Sequence, residues 1–394
     1  MLEMMLDTTS QRAQDEIFMR QALKLAAETV GLASPNPQVG CVLTKTPHGG
    51  GIPKIIGEGA HIYENRDHAE IVALKQAAAR SLATHGATAY VTLEPCSHHG
   101  RTGPCADALI AAGIARCVIA TQDPNPRVSG QGIQKLRTAN IEVTLGVLEQ
   151  QARNLNDAFA HFIQSQTPFV TLKAALSADG KLAPSPSSRL PNQPHWLTGP
   201  EARAEVQRLR HASDAVLTGT GTVLADDPLL TDRSGQPRRR PLLRVILDTH
   251  LRIPLNSQLV RSAQNDLLVL CGSHASSSKA SELGRLGVEV DRVSDHDGRL
   301  SLPAVLSAIA GRDILSLLLE CGSHLNGAFL RQSLVDKAVL FYTEANLGDE
   351  AIPFAEGIPS PQAIEQRLHH ITRATHGQDT SITGYLHNPW PTDN

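Results

Sequence analysis

Along the first 150 residues the apolar positions switch repeatedly between two spacings. From Asp15 to Thr29 they return every three or four residues, with Ile17, Ala22, Leu25 and Ala26 on one face, which predicts a helix. Short apolar runs at Val39–Thr44 and Lys54–Glu58 predict strands, and Ala69–Ala83 predicts a helix rich in Ala, Leu and Ile. A strand at Ala87–Leu93, a helix at Ala106–Ala112 and strands at Cys117–Thr121 and Ile141–Gly146 follow. Such alternation predicts a layered sheet with helices on both faces.

Leu148–Ser165 reads as a helix closing this part, and Gln166-Thr167-Pro168 as the start of a second. Strands are predicted at Phe169–Leu176, Ala215–Thr218, Leu242–Leu247, Leu267–Leu270 and Ile314–Glu320. Helices are predicted at Pro200–His211, Pro303–Ala310 and Gly327–Ser333, the proline of Pro303 standing where a missing N–H costs nothing. Leu182–Pro194, rich in Pro and Ser, reads as a loop. The expected organisation is a frayed tail at 1–14, one α/β domain at 15–165 and another at 166–394. No internal repeat links the halves.

Length supports that division, since 394 residues exceed one ordinary core. Hydrophobic residues at 41% and charged residues at 19% suit two globular halves. A net charge of −3 argues against a nucleic-acid partner. The one compact basic run, Arg238-Arg239-Arg240 between Pro237 and Pro241, reads as a solvated loop. No stretch is long and apolar enough for a bilayer, and Met1–Gln14 lacks the pattern of a secretory signal. The six cysteines therefore point to reduced thiols in the cytoplasm, available to a metal. A small-molecule substrate is the expectation.

The densest chemistry is His68-Ala69-Glu70, followed by Glu94-Pro95-Cys96 and Pro104-Cys105. One imidazole and two thiolates fill three positions of a tetrahedral zinc and leave the fourth for water. A zinc deaminase adds a glutamate that is not a ligand and that carries protons to the ring nitrogen and the leaving amine. His68, Cys96 and Cys105 are the candidate zinc ligands and Glu70 the candidate catalytic residue. A closed structural zinc site completed by His98 or His99 is the alternative, and Glu70 separates the two, because a structural site has no use for it. Cys41, Cys117, Cys271 and Cys321 read as packing residues.

In the second half, Gly219-Thr220-Gly221-Thr222 at a strand end reads as a phosphate loop or simply as a turn. Gly322-Ser323-His324-Leu325-Asn326-Gly327, between an apolar strand and a helix, is the better anion site. Arg210 and Arg233 are either a phosphate clamp or surface charges.

Eight residues separate Cys96 from Cys105, unlike the two of an ordinary cytidine deaminase motif. With Ser34-Pro35-Asn36-Pro37-Gln38-Val39-Gly40 and Gln122-Asp123-Pro124-Asn125-Pro126, this spacing resembles the bifunctional deaminase–reductase family of riboflavin biosynthesis. The likeness continues through Lys173–Lys181, Trp196–Gly199, Gly219–Pro228 and Glu320-Cys321-Gly322, covering residues from about 15 to 350. It implies a cytidine deaminase-like three-layer α/β/α domain followed by a dihydrofolate reductase-like α/β domain. The first would deaminate the diaminopyrimidine ribosyl phosphate made by ring opening of GTP. The second would reduce the ribosyl side chain to ribityl with NADPH. Asn36 and His61 match substrate positions of the deaminase, and Arg210, Leu230, Arg233 and Glu320 those of the reductase. Ala175, Trp196, Thr222, Asp226, Thr249 and the run Gly322, Ser323, His324, Leu325, Asn326, Gly327 and Ala328 match cofactor positions. The cofactors implied are Zn2+ and NADPH, and the assembly implied is a homo-oligomer, a dimer for preference. The competing reading keeps the zinc pyrimidine deaminase and makes the second half only a nucleotide-binding module.

Overall fold

The structure is a computed structural model that describes residues 2–98, 103–185, 187 and 196–390. Two compact units divide the chain, Met1–Ser165 with Trp390–Asn394, and Gln166–Pro389.

The first unit is built on five strands in the order Lys54–Ala60, Gly40–Lys45, Thr88–Val91, Arg116–Ile119, Glu142–Leu145. Gly40–Lys45 runs antiparallel to both of its neighbours, and the last three strands are mutually parallel. Alternation along the strands splits the core in two. Cys41, Leu43, Ala89, Val91, Cys117 and Ile119 pack against helices Ala69–Ala79, Cys105–Ala111 and Gln131–Thr138. Val42, Tyr90 and Val118 pack on the other face against the first helix, through Phe18, Met19, Ala22 and Leu23. Three layers result.

That first helix runs Leu2–Ala27, so the stretch expected to be a frayed tail is helical from residue 2. Extending an existing helix needs no new nucleus, and the pairs Gln11–Asp15 and Arg12–Glu16 lie along it at one-turn spacing. Its buried stripe runs through Phe18 and Met19, which leaves Ile17, expected to be buried, 60% exposed. The predicted helix Leu148–Ser165 is two helices, Glu149–Leu155 and Asp157–Ser165. Asn156 breaks it, its side chain accepting from Gln38 N at 2.7 Å and donating to Gln38 O at 3.0 Å. Helix Gln131–Thr138 escaped prediction because glycines flank and interrupt its start.

The end of the chain differs from expectation as well. Trp390, assigned by sequence to the second domain, packs in the first unit's core. Its indole N–H donates to Arg153 O at 3.2 Å and Asp157 Oδ1 at 3.3 Å. A large apolar ring with one donor is stable there only because both needs are met.

The second unit carries a nine-stranded sheet in the order Val288–Arg292, Leu267–Cys271, Leu243–Leu247, Ala215–Gly219, Ser316–Leu319, Phe169–Leu176, Lys337–Tyr342, Asp379–Tyr385, His369–His376. All are parallel up to Lys337–Tyr342, and the last two form an antiparallel edge. Apolar clusters cover both faces, as a parallel sheet requires. The expected helix Gly327–Ser333 begins earlier, at Ser323, and ends at Arg331. Among the described residues, no helix is long and apolar enough to cross a membrane.

Candidate active sites

In the first unit, helix Ala69–Ala79 starts directly after His68, its N-cap, whose extended backbone turns the imidazole toward the helix entrance. Cys105 is the first residue of its own helix, with Pro104 as the extended cap. The two helix starts converge. His68 Nδ1 lies 3.5 Å from Cys96 Sγ and 3.3 Å from Cys105 Sγ, and the three donor atoms all lie within 4.8 Å of one another. Among the described residues no fourth His, Cys, Asp or Glu joins them, so His98 does not close the set. His99 and residues 100–102 lie outside the described residues. An imidazole and two sulfurs, with no fourth such donor among the described residues, fit zinc in the form that keeps a water. Cys105 N donates to Cys96 Sγ at 3.3 Å. Hydrogen bonds from Cys105 and His68 lower the Cys96 thiol pKa, favouring the thiolate form that a metal needs.

Glu70 is buried in the first turn of the same helix. Burial, reinforced by the charge of Cys96, raises its carboxyl to about 7. A carboxyl that titrates near neutrality both takes and gives a proton there. His61 Nδ1 donates to Asp67 O at 2.8 Å, which leaves Nε2 to accept from Asn36 Nδ2 at 3.0 Å. Burial lowers the His61 pKa, keeping it neutral and Asn36 oriented. The rings of His61 and His68 meet edge to face at 5.3 Å.

Sequence reasoning missed Glu94. Its buried carboxylate accepts from Asp123 N at 3.1 Å, Gly130 N at 2.9 Å, Gly132 N at 2.8 Å and Ile133 N at 3.2 Å. It thereby caps helix Gln131–Thr138 and pins the Asp123–Gly130 loop beside Cys96. A Cβ on Gly132 would stand 2.0 Å from Pro95 O, so glycine is required for that approach.

In the second unit a cavity of about 190 Å3 is lined by Lys173, Ala175, Trp196, Arg203, Arg210, Arg233 and Glu320, among others. Four cations face one carboxylate, which suits an anionic ligand. Arg210 pairs with Glu320 by two hydrogen bonds, and Lys173 Nζ stands 3.9 Å from the same carboxylate. Burial lowers the Lys173 pKa, with the Arg210 charge adding to it. Lys173 is a second residue that sequence reasoning missed, its signal being a lone lysine within an otherwise apolar strand. Trp196 is 63% exposed, with the Arg203 guanidinium 5.3 Å from its ring centre.

The remaining candidates lie at the carboxyl ends of the parallel strands, where ligands bind in open α/β sheets. Helix Thr220–Asp226 follows strand Ala215–Gly219, carrying Thr222 and Asp226. Thr249 follows Leu243–Leu247, and Gly322 caps helix Ser323–Arg331 after Ser316–Leu319. Within that run the roles divide. His324 is exposed and pairs with Glu356. Asn326 is turned inward, donating to Phe354 O at 3.0 Å. A Cβ on Gly327 would meet Glu356 O at 2.1 Å, so this glycine serves packing. The side chain of Leu230 lies in the apolar core. The basic run is not a solvated loop, since Arg238 is only 12% exposed and Arg240 pairs with Asp214 at 3.4 Å. The loop residues 188–195 lie outside the described residues.

Comparison with known proteins gives two family matches. Residues 12–121 match the cytidine and deoxycytidylate deaminase zinc-binding region, and residues 168–379 match the RibD C-terminal domain. The riboflavin biosynthesis protein RibD of Aquifex aeolicus is 39% identical over 338 residues, 86% of this chain and 89% of that protein. The Escherichia coli protein of the same name is 38% identical over 378 residues, 91% of this chain and 97% of its own. Among solved structures, Acinetobacter baumannii RibD superposes with a TM-score of 0.80 at 35% identity, covering 95% of this chain and 99% of that one. A diaminohydroxyphosphoribosylaminopyrimidine deaminase/5-amino-6-(5-phosphoribosylamino)uracil reductase from Thermotoga maritima superposes at 0.77 with 32% identity and the same coverage.

Proposed function

This chain belongs to the RibD family, and from that premise we propose which residues carry its two reactions. It is a bifunctional enzyme of riboflavin biosynthesis, with a zinc-dependent deaminase unit and an NADPH-dependent reductase unit. The substrate we assign to the first unit is 2,5-diamino-6-(5-phosphoribosylamino)pyrimidin-4-one, and to the second the deaminated product, whose ribosyl chain becomes ribityl.

His68, Cys96 and Cys105 hold the zinc, which when bound makes a water acidic enough to attack near neutral pH. Asn36 and the neutral His61 orient the pyrimidine beside it. Glu70 takes one proton of the attacking water and passes it to the ring nitrogen, then takes the second proton of the same oxygen as the carbonyl forms and gives it to the amine, which leaves as ammonia. In the second unit NADPH supplies a hydride. Arg210 and Arg233 hold the substrate phosphate, Glu320 fixes Arg210, and Lys173 is placed to give a proton to the sugar oxygen as the ring opens. Ala175, Trp196, Thr222, Asp226, Thr249 and the backbone of Gly322 to Ala328 form the cofactor side. Cytoplasmic location and a homodimer complete this reading, and sedimentation at two protein concentrations tests the dimer.

The observation that carries it is the three-donor cluster with a buried glutamate beside it. The test is to incubate zinc-loaded protein with the pyrimidine, with and without NADPH, and identify products by mass. Without NADPH only the deaminated product should form, and with it the deaminated and reduced product. Absence of deamination overturns the first assignment. Deamination with no reduction leaves the second unit as a nucleotide-binding module.

A further inference from the structure

Helix Pro200–Ala212 carries Gln207 and Arg210 into the reductase cavity, and at its end the cap's backbone N–H meets only Arg210 O, which accepts from Ser213 N at 3.2 Å. Arg238, some way along the chain, meets the carbonyls at that end. Its Nη1 donates to Arg210 O at 3.1 Å and His211 O at 2.8 Å, and its Nη2 to Ser213 O at 2.7 Å. The same Nη1 reaches Asp232 Oδ2 at 3.0 Å, and that oxygen also accepts from His211 Nδ1 at 2.9 Å. Asp232 stands between Thr231 and Arg233. Thr231 O accepts from Arg210 Nη1 at 3.1 Å, and Arg233 N donates to Gln207 Oε1 at 2.9 Å. Segment 231–233 is thus stitched along the helix at three successive residues, and Arg238 bridges the middle stitch to the helix end. Arg233, the next residue, lines the cavity.

We propose that Arg238 is a positioning residue of the reductase site, holding Arg233 against the helix that presents Arg210. It touches neither substrate nor cofactor. A guanidinium is needed because one planar group serves the carbonyls of Arg210, His211, Ser213 and, through Nε, Arg240, and a carboxylate as well, which an ammonium cannot match. The inference rests on the assignment of Arg233 to the substrate phosphate, and the test separates the two.

Arg238→Ala, Arg238→Lys and Arg233→Ala are assayed for reduction with pyrimidine and NADPH varied in turn, and for deamination. Losing bonds of this charged kind should raise KM for the pyrimidine about 10- to 100-fold in Arg238→Ala. KM for NADPH should stay within about twofold and deamination should be unchanged, since cofactor residues and zinc site are not on this segment. Arg238→Lys should fall between, and Arg233→Ala should match or exceed Arg238→Ala. If Arg238→Ala yields no folded reductase, Asp232→Asn breaks the same bridge from the loop side and should give the same selective rise. An unchanged pyrimidine KM in Arg238→Ala or Asp232→Asn beside a raised one in Arg233→Ala overturns the positioning role alone. An unchanged KM in Arg233→Ala overturns the phosphate assignment and the inference with it. Parallel rises in both KM values with a fall in kcat would mean general damage, and would also overturn it.

Discussion

Arg210 presents Nε and Nη2 to the two carboxylate oxygens of Glu320, at 2.6 and 3.0 Å, in a fork-to-fork pair on the cavity wall. Burial alone would raise the Glu320 pKa, but the charges of Arg210 and Lys173 outweigh it and hold the carboxyl below its ordinary value. The pair fixes Arg210 in one rotamer and keeps two buried cations from facing each other unneutralised.

Glu320→Gln preserves shape and removes the charge that Arg210 and Lys173 share. Breaking a buried pair from one side costs about 3–5 kcal/mol, so the second unit should lose stability and reduction should fall. The sign with pH follows from the lowered pKa. Glu320 stabilises above the ordinary carboxylate range, and its contribution is lost as pH falls through its depressed folded value. Thermal inactivation of the reductase should therefore show a gap between wild type and variant at neutral pH that closes in acid. A gap independent of pH counts against the pair.

Glu70 has the opposite sign. Its folded pKa of about 7 is raised, mainly by burial, so its contribution to the stability of the zinc-free first unit is full below the ordinary carboxylate range and is lost as pH rises through 7. In metal-stripped protein, Glu70→Gln should flatten that dependence between about pH 4.5 and 7. In the zinc-loaded protein the same change should cut deamination about 10²- to 10⁴-fold without loss of zinc. Wild-type turnover in the variant would remove Glu70 from the mechanism.

Much of this was legible in the sequence, for physical reasons. Two helix starts aimed at one point leave a signature in sequence, because ligands, caps and prolines must sit at fixed offsets, and His68, Glu70, Cys96 and Cys105 do. Apolar runs such as Leu267–Cys271 announce strands buried on both faces. What was hidden depends on distant partners. Strand His369–His376 is exposed along nearly its whole length, so no apolar alternation marks it. Glu94 reads as one more acidic residue until the backbone of Gly130 to Ile133 folds back over it. Arg238 looked like part of a solvated run because all but one of its partners are carbonyls, which have no letter in the sequence.

Glu94→Ala should leave four backbone N–H groups without their acceptor. Each such buried donor costs about 1–3 kcal/mol, partly recovered where water enters. Amide exchange at Gly130, Gly132 and Ile133 should quicken while that of strand Gly40–Lys45 barely changes. Deamination should fall because the Asp123–Gly130 loop loses its anchor beside Cys96, and reduction should stay as it was. Unaltered exchange at those three amides would show that the helix Gln131–Thr138 holds its own start.

Trp390 makes a claim about where the first unit ends. Cutting the chain at Ser165 removes an indole that is 5% exposed, packed in the zinc unit's core and hydrogen-bonded to Arg153 and Asp157. Truncating a buried Trp to Ala costs about 3–5 kcal/mol, from lost burial and the cavity left behind. Trp390→Ala in the full chain should therefore lower the thermal midpoint of zinc release and shorten the life of deamination on heating. The reductase should be untouched. A chain ending at Ser165 should bind zinc and deaminate when fresh, and should inactivate at the lower temperature of the Trp390→Ala protein. If the shortened chain is as heat-stable as the intact one, the indole adds nothing to the unit and its boundary is Ser165 after all.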